Sequence, residues 1–244
     1  MYVNKACCSL PPVVSNYTPK GTFEQIDDLS VYFVGPKDAK ESVVVIYDIF
    51  GLHPNTHQFC DILGEMFNFR VAMPDFFRGK PWDHNKMKPE DRPALMEWVG
   101  SVGNWDNIKV DLEKVKERLI SDGSVNFGIV GFCWGAKMAV LATRDGSFAA
   151  ASLIHPSALV TEDAEFAEAP ILLIPTKDEP DFTEFMNILR KKPFGDKCQH
   201  HRFEDMFHGF AGARGDYTNA QNVKRATEAI QLTGDFFNSH VHSN

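Results

Sequence analysis

The chain has 244 residues, 43% hydrophobic and 24% charged, with 33 acidic against 25 basic side chains and a formal net charge of −8. That apolar share excludes wholesale disorder, and the acidic balance argues against a nucleic-acid phosphate track. No apolar run approaches the roughly 20 residues that span a bilayer. The length fits one large domain, read as a lead-in over residues 1–25 and a single unit over 26–244.

Residues 1–20 lack the charged start, apolar stretch and small-residue cleavage site of an export signal. Cys7, Cys8, Cys60, Cys133 and Cys198 form no C-x-x-C pair, which argues against a disulfide framework. Together these point to a cytoplasmic setting. Pro11, Pro12 and Pro19 mark the lead-in as irregular. Residues 29–34 read as an early edge strand. Short β-branched or apolar runs at 42–47, 69–73, 127–130, 150–154 and 171–174 suit strands buried on both faces. Residues 199–203 are a weaker strand because of His200 and His201.

Helical patterns lie between these runs. Residues 54–67 begin with Pro at a first helical position. Residues 105–119 place Ile108, Leu112, Val115 and Leu119 on one face. Residues 134–143 are small and apolar, 183–189 form a shorter candidate, and 220–237 form a long terminal helix. Residues 79–92 are polar and Pro-bearing, as in a lid or pocket rim. Strand and helix in alternation predict an α/β fold: a mostly parallel sheet with helices on both faces and ligands at the carboxyl ends of its strands.

At one such strand end stands Gly131-Phe132-Cys133-Trp134-Gly135, a G-x-C-x-G turn between a buried strand and a small-residue helix. So tight a turn strains its middle residue and brings backbones together where the glycines leave room. The Cys133 thiol is left at the tip, beside the N–H groups of a helix start. A buried structural cysteine beside packing glycines is the bland alternative. A nucleophile needs a base and the base a carboxylate, in the chain order nucleophile, acid, histidine. His208, in the loop Asp205-Met206-Phe207-His208-Gly209-Phe210, is the expected base. His155 precedes the acid and follows a buried strand, which reads as structural. Asp178 is the first choice for the acid, with Glu179 and Asp181 behind it; Asp181 equally suits a helix cap near Thr183. Trp134 N–H and Ile49 N–H are the expected oxyanion donors.

Asp48-Ile49-Phe50-Gly51, Pro74-Asp75-Phe76-Phe77, Gly131-Phe132-Cys133-Trp134-Gly135-Ala136, the Asp178 loop and Phe207-His208-Gly209-Phe210 occur in that order. This series resembles the dienelactone hydrolase family of α/β-hydrolases. The resemblance implies hydrolysis of lactones or small carboxylic esters by a Cys133, Asp178, His208 triad, with no metal and no organic cofactor. Bacterial members carry Glu where Asp48 stands, so Asp48 is expected at the thiol or the oxyanion loop. They also bind a substrate carboxylate through two arginines; Arg78 and Arg214 lie near those segments without matching them cleanly.

The expected partner is a small-molecule ester or lactone, with no nucleic acid and no membrane, and a monomer or homodimer. The alternative is an inactive α/β-hydrolase that binds or regulates. His53, His57 and Asp61 share a helical spacing that zinc can use, but Pro54 places His53 at a cap, and solvation of that face is the preferred reading. Phe50, Phe76, Phe77, Trp82, Trp134, Phe207 and Phe210 fall near the site, most of them as core, with Phe50 a substrate-contact candidate.

Overall fold

The structure is a computed structural model that describes residues 10–241; Cys7 and Cys8 lie outside the described residues. Among the described residues eight strands form one sheet in the order β1-β2-β4-β3-β5-β6-β7-β8. In chain order they are β1 (Thr22–Ile26), β2 (Leu29–Val34), β3 (Glu41–Ile46), β4 (Arg70–Pro74), β5 (Asn126–Phe132), β6 (Ala150–Ile154), β7 (Ile171–Ile174) and β8 (Gln199–His200). The pairings β1–β2 and β2–β4 are antiparallel; all others are parallel. The β-branched run expected at 42–47 becomes β3, central in the sheet, where alternate side chains meet opposite helix layers.

Among the described residues six helices cover the sheet: α1 (Pro54–Phe67), α2 (Arg92–Val102), α3 (Trp105–Asp122), α4 (Gly135–Ala142), α5 (Thr183–Leu189) and α6 (Ala220–His240). Local chemistry sets their ends. His53 Nδ1 accepts from Asn55 N–H (3.2 Å) at the α1 start, where Pro54 needs no donor. Asn104 caps α3 through Asn107 N–H (3.1 Å), and Gly123 stops it at a φ of +113°. β5 shows how the layers are divided. Gly128 faces Phe237 of α6, whereas Gly131, on the opposite face, meets Gly135 and Ala136 of α4.

Four elements differ from the sequence expectation. Residues 29–34 form an inner strand, because β1 pairs outside β2. β1 begins at Thr22, within the segment expected as lead-in; its polar, half-exposed residues hide a strand that a tight turn at Asp27 (φ +54°) folds onto β2. Residues 92–102, unassigned from sequence, form α2. The strand expected over 199–203 shortens to β8, with Phe203 rejoining the sheet in a single bridge to Thr176. No helix among the described residues is long and apolar enough to cross a membrane.

Candidate active site

Cys133 occupies the turn between β5 and α4 with a φ of +55°. For a residue with a Cβ this left-handed value is strained by about 1–3 kcal/mol, so the surroundings must hold it. They do so through the main chain: Cys133 N–H donates to Ile154 O (3.2 Å), and Cys133 O accepts from Ser157 N–H (2.9 Å). The glycines are dictated by contact. A Cβ on Gly131 would stand 2.2 Å from Gly135 O, and one on Gly135 2.7 Å from Ile46 O. The G-x-C-x-G spacing is therefore what this crossing of β5, β3 and α4 requires.

Cys133 and His208 line one small cavity with Asp48, Ile49, Phe50, Gly209 and Arg214. Its volume is ≈ 10 Å³, enough for about one water molecule. His208 is buried, and its Nδ1 lies 2.7 Å from Glu179 Oε1. Glu179 is also buried, and its second oxygen accepts from Thr176 N–H. Burial pushes the Glu179 carboxyl up, but the bonds and charge of His208 and the Thr176 N–H prevail and hold it below the ordinary carboxylate value.

The carboxylate that meets the His208 ring is therefore Glu179 and not the expected Asp178. Asp178 stands on the neighbouring turn, and its Oδ2 accepts the backbone N–H of His208 (2.9 Å), while Glu179 takes the ring. The longer side chain reaches inward from a residue whose neighbour is only partly buried. Asp181 Oδ1 accepts from Thr183 N–H (2.9 Å) in the turn just ahead of α5, whose N-cap position is Phe182. Arg202, which sequence reasoning did not single out, clamps the turn by donating to the carbonyls of Thr176, Glu179 and Pro180.

Among the expected substrate-side residues, Asp48 is buried and pinned. Its Oδ1 accepts from Phe50 N–H and its Oδ2 from Ala213 N–H, each at 3.0 Å. It joins the Ile49 loop to the loop after His208. Ile49 O accepts from Trp82 N–H (2.9 Å), so the 79–92 segment buttresses the same loop. Trp134 follows the thiol, and its ring stacks on Phe77 (5.3 Å). Phe50 lines the cavity, under the Arg214 guanidinium (5.6 Å). Arg78 does not line it. Its guanidinium is bidentate on Asp111 (2.7 and 2.8 Å) and also bonds Asp28 (3.0 Å), in a separate groove beside α3. The acidic partners on α3 and the β1–β2 turn draw it there.

The lead-in crosses the outer side of the His208 loop. Arg214 Nε donates to Leu10 O (2.9 Å), Val13 N–H to Ala213 O (3.1 Å), and Asn55 Nδ2 to Val13 O (3.1 Å) and Ala213 O (3.2 Å). The His53, His57 and Asp61 face is not the solvated surface expected: His57 and Asp61 are buried, Asp61 accepts from the hydroxyls of Tyr17 and Tyr32 and from Lys20 N–H, and His57 Nδ1 meets His53 O.

A mostly parallel sheet with a strained residue between a central strand and its helix, and a carboxylate-bonded histidine beyond a later strand, defines an α/β-hydrolase. The chain belongs to the dienelactone hydrolase family, whose defining pattern matches residues 29–241, and it is a hydrolase. It is 31% identical to an uncharacterized AIM2 family protein of Schizosaccharomyces pombe, over 96% of this chain and 98% of that one. It is 28% identical to the human carboxymethylenebutenolidase homolog, over 92% and 93% of the two chains. The fold is similar to that of the dienelactone hydrolase from Anabaena variabilis, with a TM-score of 0.65 at 13% identity, covering 93% of this chain and 100% of that one.

Proposed function

We propose that this hydrolase cleaves lactones or small carboxylic esters through an acyl-cysteine, with Cys133 as nucleophile, His208 as base and Glu179 as the orienting acid. The carrying observation is the strained Cys133 lining one cavity with a histidine whose far nitrogen is bonded to a buried carboxylate. His208 takes the thiol proton as sulfur attacks the carbonyl carbon. The oxyanion forms against the Ile49 and Trp134 N–H groups. As the intermediate collapses, the carbon–oxygen bond breaks and His208 returns the proton to the leaving alkoxide. Water then attacks the thioester, gives His208 its proton, and releases the acid and the thiol. Glu179 fixes the Nδ1–H tautomer and steadies the imidazolium. Asp178 holds the main chain of His208 instead of its ring.

The name of the human relative supports a lactone or enol ester as substrate. Arg78, engaged by Asp28 and Asp111, is not part of the substrate reading. The reduced thiol this chemistry needs suits a cytoplasmic setting. A panel of chromogenic short esters and lactones, assayed before and after thiol alkylation, tests the proposal. Turnover that alkylation abolishes is expected; no turnover of any ester or lactone would instead favour a binding module.

A further inference from the structure

His155 destabilises the fold in two ways. Its φ is +38°, in the left-handed region that non-glycine residues rarely adopt. Its side chain is fully buried, and neither ring nitrogen has a hydrogen-bond partner on any other described residue. Burial, with His208 and Arg214 nearby, holds its pKa well below the ordinary histidine value, so the ring is neutral and carries one N–H. A phenylalanine would fill this space without leaving polar atoms unbonded. A polar ring here points to a bond made in another state of the site.

The surroundings indicate which bond. The ring packs edge-on against His208 (centroids 4.8 Å apart), with Phe132 and Phe210 on its flanks. On a further side lies Gly212, where an added Cβ would stand 2.8 Å from Asp48 Oδ2 and 3.4 Å from His155 Nε2. Only the absence of a side chain on Gly212 lets both groups close on it. Asp48 Oδ2 now bonds Ala213 N–H, the residue after Gly212, and so ties the two walls of the cavity together. A cavity of ≈ 10 Å³ cannot admit an ester, so its walls must part. Moving the 209–215 loop breaks that tie and leaves a buried carboxylate one donor short, an unfavourable state unless another donor arrives.

We propose that His155 is a positioning residue that supplies this donor. When the 209–215 loop moves aside, His155 Nε2–H bonds Asp48 across the space that Gly212 vacates. Asp48 keeps its hold on Phe50 N–H, and the Ile49 donor stays in register for the oxyanion. The inference rests on Cys133 being the nucleophile and adds a residue that acts only through Asp48.

Two substitutions of opposite character test it. His155→Gln keeps an N–H donor in a poorer packing shape, whereas His155→Phe keeps the ring and removes both nitrogens. Steady-state kinetics on a chromogenic short ester are measured beside thermal melting. His155→Phe is expected to lower kcat at least about tenfold, with KM within about twofold and an unchanged or higher Tm. His155→Gln is expected to retain the larger kcat. A Phe variant whose kcat equals or exceeds that of the Gln variant would reduce His155 to packing and overturn the proposal. If the Phe variant does not fold, His155→Leu replaces it in the same comparison. Cys133→Ala separates the two levels. If it abolishes turnover while the Phe variant keeps full kcat, only the role of His155 fails; if it keeps esterase activity, the reading beneath fails.

Discussion

The two walls of the cavity are built on different principles. The Cys133 wall is a turn between a central strand and its helix, where crossing backbones leave no room for a Cβ on Gly131 or Gly135. The opposite wall, residues 208–215, contains no helix or strand and is held by Asp178, Asp48, Asn55 and Leu10 through hydrogen bonds. Steric exclusion makes the first wall rigid and confines its sequence to few residue types. Hydrogen bonding lets the second open locally, at a cost set by a handful of bonds. Under the proposed function, a nucleophile on the first wall and a base at the start of the second reconcile precise attack with a cavity too small for substrate.

The sharpest way to break this contrast is at its reacting atoms. Cys133→Ala should lower kcat by about 10⁴-fold or more in an ester assay, with the fold unchanged by circular dichroism. Glu179→Gln should lower kcat by about 10³-fold and Asp178→Asn by only about tenfold, since only the first loses the ring's partner. The reverse order would restore Asp178 as the acid. Gly131→Ala should destabilise by about 3 kcal/mol or more in urea unfolding, because its Cβ meets backbone and not a movable side chain.

Smaller effects probe the yielding wall. In the unfolded chain His155 takes up a proton below its ordinary value of 6.5, whereas the buried ring does not. Stability from this source is therefore full above pH 6.5 and falls below it, by up to about 1.4 kcal/mol per pH unit. His155→Phe should lose that slope, so its advantage over the wild-type chain in urea midpoint should widen from pH 7 to pH 5. Glu179, held below the ordinary carboxylate range, adds a loss of stability at lower pH still. Asn55→Ala removes the link between Val13 and Ala213. It should speed amide exchange in residues 10–17 and 209–215 by about tenfold, equivalent to about 1.4 kcal/mol, and leave β5 unchanged.

The same contrast explains what could be read from the sequence. The sheet, the G-x-C-x-G turn and the His208 loop were legible because periodicity and glycine placement follow from sterics. The choice between Asp178 and Glu179 was not, since both follow β7 by a few residues and only the fold of the turn under Arg202 sends one to the ring and the other to the main chain. Arg78 likewise looked free to meet a substrate until Asp111, which lies 33 residues further along, was brought beside it. β1 was missed because none of its five side chains is buried, so no apolar period marks it, and His155 read as structural because nothing in its neighbours announces a left-handed backbone.

The most direct measurement is the mass of the enzyme stopped during turnover of a slow ester. One acyl group on the peptide that contains Cys133, absent after thiol alkylation and accumulating in His208→Ala only if attack outpaces water, is the expected result. An acyl group on any other residue, or full turnover by Cys133→Ala, would contradict the account.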